Sequence, residues 1–135
     1  TSGVLKMSDF YRKRNDKFRY WRFYAWSTMG GGSMVVNEIV LSETAGGATI
    51  IPVGSVIAYN NQYLTGYAAN AVDRIVMDLG SKRFATEFRF LTTTVTNHAP
   101  KDFRLDVSND NVNWTTKASW TKTDWVRDTW YAFPF

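Results

Sequence analysis

The chain has 135 residues, with 16 lysines and arginines against 12 aspartates and glutamates and a net charge of +4. That length fits one domain with a core of its own. The absence of cysteine and the single histidine, His98, exclude a disulfide scaffold, a thiolate zinc site, a cysteine nucleophile and any two-histidine mechanism.

Residues 1–17 are polar and aperiodic apart from Val4, Leu5, Met7, Phe10 and Tyr11, and form an expected arm or linker ahead of a domain spanning 18–135. Nothing in them has the pattern of a signal peptide, and no apolar run anywhere approaches the ~18–20 residues of a membrane helix. Six basic and two acidic residues fall in 1–20, and the remaining ten of each sign balance in 21–135, so the whole net charge lies in the first 20 residues. The chain carries six Trp, seven Tyr and nine Phe, an enrichment that suits pleated, half-buried strands.

Period-2 patterning predicts a strand at 19–26, with Trp21, Phe23 and Ala25 opposite Tyr20, Arg22 and Tyr24. At 34–41 Val35, Ile39 and Leu41 oppose Met34, Glu38 and Val40, with Val36 and Asn37 blurring the alternation. Gly30–Ser33 between them is an expected hairpin loop needing positive φ. Further strands are expected at 55–59, 74–79 and 84–92, with one short helical turn around Ala68 to Val72. Alternation is strictest at 102–108, where Phe103, Leu105 and Val107 face inward and Asp102, Arg104 and Asp106 outward. Strands at 113–119 and 129–135 follow, and Trp114 is expected to close the preceding turn as a core residue. Short strands separated by Gly, Pro and Asn turns predict an all-β, antiparallel sandwich of about eight strands.

The run Ala99–Trp114, in which the alternating strand enters a Ser108-Asn109-Asp110-Asn111 turn and then reaches Trp114, resembles the signature of discoidin-type (coagulation-factor C-type) domains. Ala68–Asp73 and Met77-Asp78-Leu79-Gly80-Ser81 are similar to two further blocks of that family. Arg19–Arg22 followed by Val36–Leu41 resembles the opening strands of relatives in phage tail proteins, where a stretch like Leu5–Tyr11 often precedes the domain. The resemblance covers residues 18–135 and implies a galactose-binding-like jelly roll that binds sugars, lipids or proteins through loops at one end. The family's usual turn glycine is Asn111 here, which reaches the left-handed region more readily than most residues. The usual Gly, Asn and Thr of the calcium loop are missing after Asp73, which leaves Asn70 and Asp73 as candidate metal ligands and Asp73 with Arg74 as an alternative ion pair.

No catalytic constellation can be assembled, so the expectation is a protein that is not an enzyme. His98 sits in a polar loop without a nucleophile-elbow serine. Asp102, Asp106 and Glu87 lie beside Arg104 and Arg89, where solvated cross-strand pairing accounts for them. Asp78 and Asp110 fall in turn motifs, where backbone bonding does. The basic run at 12–17 is diluted by Asp9 and Asp16 and is not continued by the neutral body, which argues against nucleic acid. Phe10, Tyr11, Arg12, Lys13 and Arg14 are instead candidate contacts docking the arm on a partner.

Strand alternation gathers loops 27–33, 60–73, 93–101 and 120–128 at one end, away from the turn at 109–112 and both termini. The candidate ligand-binding residues there are Tyr63, Tyr67, Asn97, His98, Trp125 and Arg127, a set of aromatic faces with amide and cationic donors suited to a pyranose ring. The expectation is a binding module of a phage-like virion, in a tail fibre or receptor-binding protein, recognising host surface glycans. It would be localised in the virion or otherwise extracellular, need no cofactor, with calcium at Asn70 and Asp73 as the alternative, and assemble as a homo-oligomer, a trimer for preference. Neither nucleic acid nor membrane insertion is expected. One alternative is a structural tail, baseplate or capsid accessory protein making protein contacts only; another is a bacterial carbohydrate-binding module from a secreted glycosidase.

Overall fold

The computed structural model describes residues 16–30, 33–53, 56–58, 61–63, 66–70 and 74–135. They form strands β1 (Phe18–Thr28), β2 (Ser33–Val36), β3 (Glu38–Ser42), β4 (Val56–Ala58), β5 (Asn61–Tyr63), β6 (Gly66–Asn70), β7 (Arg74–Arg83), β8 (Glu87–Leu91), β9 (Pro100–Ser108), β10 (Thr115–Thr121) and β11 (Trp130–Pro134), with a 3-10 turn at Thr96–His98. No α-helix occurs among the described residues. All pairings are antiparallel. A five-stranded sheet runs β10-β9-β1-β7-β4, a three-stranded sheet β11-β8-β3, and a second three-stranded sheet β2-β6-β5.

The alternation in β1 places Trp21, Phe23 and Ala25 in the interior, in register with Val107, Leu105 and Phe103 of β9. Trp21 and Phe23 pair on their other side with Met77 and Ile75 of β7. The three-stranded β11-β8-β3 sheet supplies the opposing face through Ile39, Leu41, Phe88, Phe90 and Phe133. Phe23 stacks on Phe88 at 5.0 Å and 19°, and Phe90 meets Phe133 at 5.1 Å and Phe103 at 5.9 Å. Full burial of each such side chain contributes about 1.5–3 kcal/mol, so the clustered phenylalanines join the two sheets at their centre.

Five features depart from the sequence expectation. The segment 34–41 is two strands, not one: Asn37 interrupts it, donating its N–H to the Leu91 carbonyl at 2.8 Å and its side-chain amide to that of Thr92 at 3.2 Å. The extra residue shifts the parity, so Met34 and Val36 are buried before it and Ile39 and Leu41 after it. Val35 therefore does not share the Ile39 face. Gly66–Asn70 is a strand rather than the start of a helical turn, because its backbone is taken up by β2 and β5; residues 71–73 lie outside the described set.

The outer face of the five-stranded sheet is the largest correction. Asp106 is only 1% exposed, not a solvated surface site. It receives Arg22 Nε at 2.9 Å, Arg104 Nε at 3.0 Å and the Thr116 hydroxyl at 2.9 Å. Trp114, expected in the core, is instead half-exposed on this outer face, under the Arg22 guanidinium at 4.3 Å. The inward register of Phe103, Leu105 and Val107 is as expected. Glu87, also expected to be solvated, is 6% exposed, because the loop after β3 covers it: Gly46 donates its N–H to Glu87 Oε1 at 3.0 Å, and Arg89 reaches both Glu87 and the Gly47 carbonyl.

Turn chemistry follows the residues. Asn111 adopts φ 60°, the left-handed conformation anticipated for it. The Asp110 carboxylate accepts the N–H groups of Asn113 at 2.8 Å and Val112 at 2.9 Å, the Asn113 side-chain amide at 2.7 Å and the Ser108 hydroxyl at 2.9 Å. Asp78 accepts the Gly80 N–H at 2.8 Å and both arms of Arg19, at 2.9 and 3.0 Å, with Gly80 at φ 78°.

Candidate binding site at the loop end

Antiparallel alternation sets the site. The end of β1 at Thr28 lies beside Pro100 at the start of β9, and the end of β10 at Thr121 lies beside Asp102. Trp130, where β11 begins, pairs with Leu91, where β8 ends. Residues 29–30 and segments 92–99 and 122–129 therefore emerge together. At the opposite end, Arg19 donates its N–H to Asn109 at 3.2 Å and Phe135 to the Thr86 carbonyl at 2.8 Å, so the turn at 109–112 lies there with the C-terminal residue.

The converging segments enclose a depression of about 120 Å³ lined by Met29, Thr96, Asn97, Thr123 and Trp125. Its frame is hydrogen-bonded: the Met29 N–H donates to the Ala99 carbonyl at 3.1 Å, and the Lys122 N–H to that of Lys101 at 2.9 Å. Thr92 ties the 122–129 loop down from below, donating its hydroxyl to the Val126 carbonyl at 2.6 Å and accepting the Thr129 N–H at 3.0 Å. No charged side chain lines the depression. An amide and two hydroxyls can exchange hydrogen bonds with ligand hydroxyls, while the Met29 thioether and the indole supply polarizable apolar surface.

Asn97 and Trp125 of the expected set thus share one depression, but Trp125 does not present an open ring. It is 9% exposed, its N–H is taken by the Pro100 carbonyl at 2.9 Å and that of Lys122 at 3.2 Å, and Phe90 and Tyr131 pack on it at 5.1 and 4.8 Å. Lys122 lies over Tyr131 at 4.6 Å and over Trp125 at 5.3 Å, its ammonium paired with Asp124 at 2.6 Å. Trp125 is the floor of the site, not a stacking platform. His98 is half-buried in the 3-10 turn, and Arg127 is exposed on the same loop as Trp125.

Tyr63 and Tyr67 lie on the β5–β6 hairpin, Tyr67 opposite Val36 and Tyr63 opposite Gly66. That small sheet adjoins the 3-10 turn through β2. Asn70 ends β6 opposite Ser33; Asp73 lies outside the described residues, as do Phe10, Tyr11, Arg12, Lys13 and Arg14 of the arm. Among the described residues no group of three His, Asp or Glu converges as a metal site. Sequence reasoning missed Met29, Thr96 and Thr123, although all three fall in loops that strand alternation assigns to this end.

Carboxylates elsewhere act as turn and strand anchors. The backbone N–H of Asn113, followed by its side-chain amide, the Val112 N–H and the Ser108 hydroxyl, holds Asp110 far below the ordinary carboxylate range. Arg19 lowers Asp78, and the hydroxyls of Ser27 and Thr121 lower Asp102. Comparison of the chain with protein-family models, curated proteins and solved structures returns no match.

Proposed function

We propose that this chain is a non-catalytic, galactose-binding-like jelly-roll module of a phage-like virion, in a tail fibre or receptor-binding protein, which recognises host surface glycans through the loop end. The observation that carries the binding reading is the uncharged depression in which Asn97, Thr96 and Thr123 surround apolar surface from Met29 and Trp125. That combination suits a sugar, whose hydroxyls need donors and acceptors and whose CH face needs an apolar contact. The virion setting draws its support from the discoidin-like run Ala99–Trp114 and the phage-tail-like blocks at 19–22 and 36–41. The five and three strands of the two facing sheets are in keeping with a jelly roll of about eight strands.

A depression of this size engages a single sugar weakly. Useful adhesion then comes from several copies held together, which multiplies avidity by about 100–10,000-fold without new contacts. A trimer with its arms on other virion proteins supplies such an arrangement. The test is binding of the intact assembly to host cells and to a glycan array, for the natural chain and for Asn97→Ala and Thr123→Ala. Both variants should melt like the natural chain and lose binding. Unchanged cell binding by both would overturn the glycan reading in favour of a structural virion protein, and binding confined to plant or animal polysaccharides would favour a module of a secreted glycosidase.

A further inference from the structure

Trp26 is the anomaly of the five-stranded sheet: the largest side chain type, 40% exposed, on the strand that forms the sheet's centre. It faces outward with Tyr24, whose ring lies 6.1 Å away and within 27° of parallel. Arg104 covers Tyr24 at 4.7 Å and reaches the Trp26 ring at 5.9 Å, while its Nε is committed to Asp106 at 3.0 Å. The cluster is braced from below and held in one arrangement, so a ligand stacking on the open part of Trp26 meets a pre-organised surface.

This platform and the loop-end depression share the end of β1, which leads from Trp26 to Met29. Trp26 and Met29 are three residues apart on β1 and its exit, a backbone span of at most about 10 Å at ~3.3 Å per residue. Thr121 ends β10 two residues before Thr123, and Asp102 lies near the start of β9, just after the 3-10 turn that carries Asn97. Between the two lies a hydrogen-bonding rim: the Asp102 carboxylate receives the hydroxyls of Ser27 at 2.6 Å and Thr121 at 2.8 Å. A carboxylate oxygen has further lone pairs for ligand hydroxyls.

Charge matching specifies the occupant. The arginines of β1 and β9 each sit on a carboxylate, Arg19 on Asp78 and both Arg22 and Arg104 on Asp106, and the depression itself has no charged lining. An anionic ligand would meet the Asp102 carboxylate at the rim, with none of Arg19, Arg22 and Arg104 free to offset it and only Lys101 and Arg127, outside the lining of the depression, as exposed cations nearby. We infer that the ligand is an uncharged oligosaccharide that occupies the depression with one sugar and crosses the Asp102 rim to stack a later ring on Trp26. This rests on the glycan reading above and adds to it a chain-length requirement and a neutral substrate class.

The test titrates the full chain with glucose, galactose and mannose and with their neutral homo-oligosaccharides up to the hexasaccharide, followed by calorimetry or NMR. Affinity should rise with length in at least one series. Trp26→Ala should abolish that rise, an effect of about two- to tenfold for one stacked ring, and leave monosaccharide affinity unchanged. Trp26→Phe should restore most of it, and Asn97→Ala should lose monosaccharide and oligosaccharide alike. Should Trp26→Ala fold poorly, Trp26→Thr keeps a β-branched strand former at the site and serves in its place. Monosaccharide binding with no gain from length, a gain untouched by Trp26 substitution, or preference for uronic-acid oligomers would overturn the extension alone. Binding of no sugar at any length would overturn the glycan reading together with it.

Discussion

Replacing Asp106 with alanine should destabilise the fold as strongly as a core truncation, although the residue lies on the nominally polar face of β9. The carboxylate is 1% exposed and receives two guanidinium groups, Arg22 at 2.8 Å and Arg104 at 3.0 Å. Removing one partner of a buried pair costs about 3–5 kcal/mol, because the remaining charge is left without compensation. Here the side chains of Arg22 and Arg104 are 17% and 35% exposed, so part of that cost returns as hydration. The lost Thr116 hydrogen bond adds about 1 kcal/mol. A net loss of about 2–4 kcal/mol follows, a fall in Tm of roughly 6–20 °C for a domain of this size. Asp106→Asn keeps the acceptor for Thr116 and should cost about half as much. Denaturant melts of both variants, with Arg22→Ala and the double mutant completing a cycle, isolate the pair: a coupling of about 0.5–3 kcal/mol is expected. A loss below about 0.5 kcal/mol for Asp106→Ala, the size typical of an exposed site, would refute the buried ion-pair account.

Other outcomes follow from the same structure. Trp125→Ala should cost about 3–5 kcal/mol by calorimetric or denaturant melting, as removal of a packed aromatic, and any loss of cell binding by that variant must be corrected for its folded fraction. Asn111→Gly should be within about 0.5 kcal/mol of the natural chain, whereas Asn111→Ala should cost about 1–2 kcal/mol for a left-handed residue with a plain Cβ. The folded-state values of Asp110, Asp78 and Asp102 all lie below the ordinary carboxylate value. Their contribution is therefore complete above about pH 4 and is lost as pH falls through the depressed values. A Tm profile should fall steadily below about pH 4, and Asp110→Ala should flatten that fall; an unchanged slope in the variant would count against the turn network.

Alternation alone assigned the inward sets Trp21, Phe23, Ala25 and Phe103, Leu105, Val107, because side-chain direction in a strand is a local property with a period of two residues. Turn residues were equally legible: Asp110, Asn111 and Gly80 act through bonds and φ angles within a few positions of themselves. Antiparallel order brought 92–99 and 122–129 to one end as expected, but 60–73, expected as a loop of that end, holds strands β5 and β6. The parity slip at Asn37 was visible only as a blur, since its hydrogen-bond partners come from Leu91 and Thr92, more than 50 residues away. Tertiary structure also took Gly66–Asn70 into a sheet against the local expectation of a helical turn, because β2 offered its backbone a ladder. Above all, it settled what covers each outward face. Arg22 lies 84 residues before Asp106 and reaches it across neighbouring strands, burying an acid that alternation marked as solvated and drawing Trp114 out of the core onto the sheet. Trp125 went the other way, from expected ligand platform to packed floor. Period identifies two faces of a strand, but whether a face meets water, a loop or an arginine depends on chain segments distant in sequence, and no local pattern carries that information.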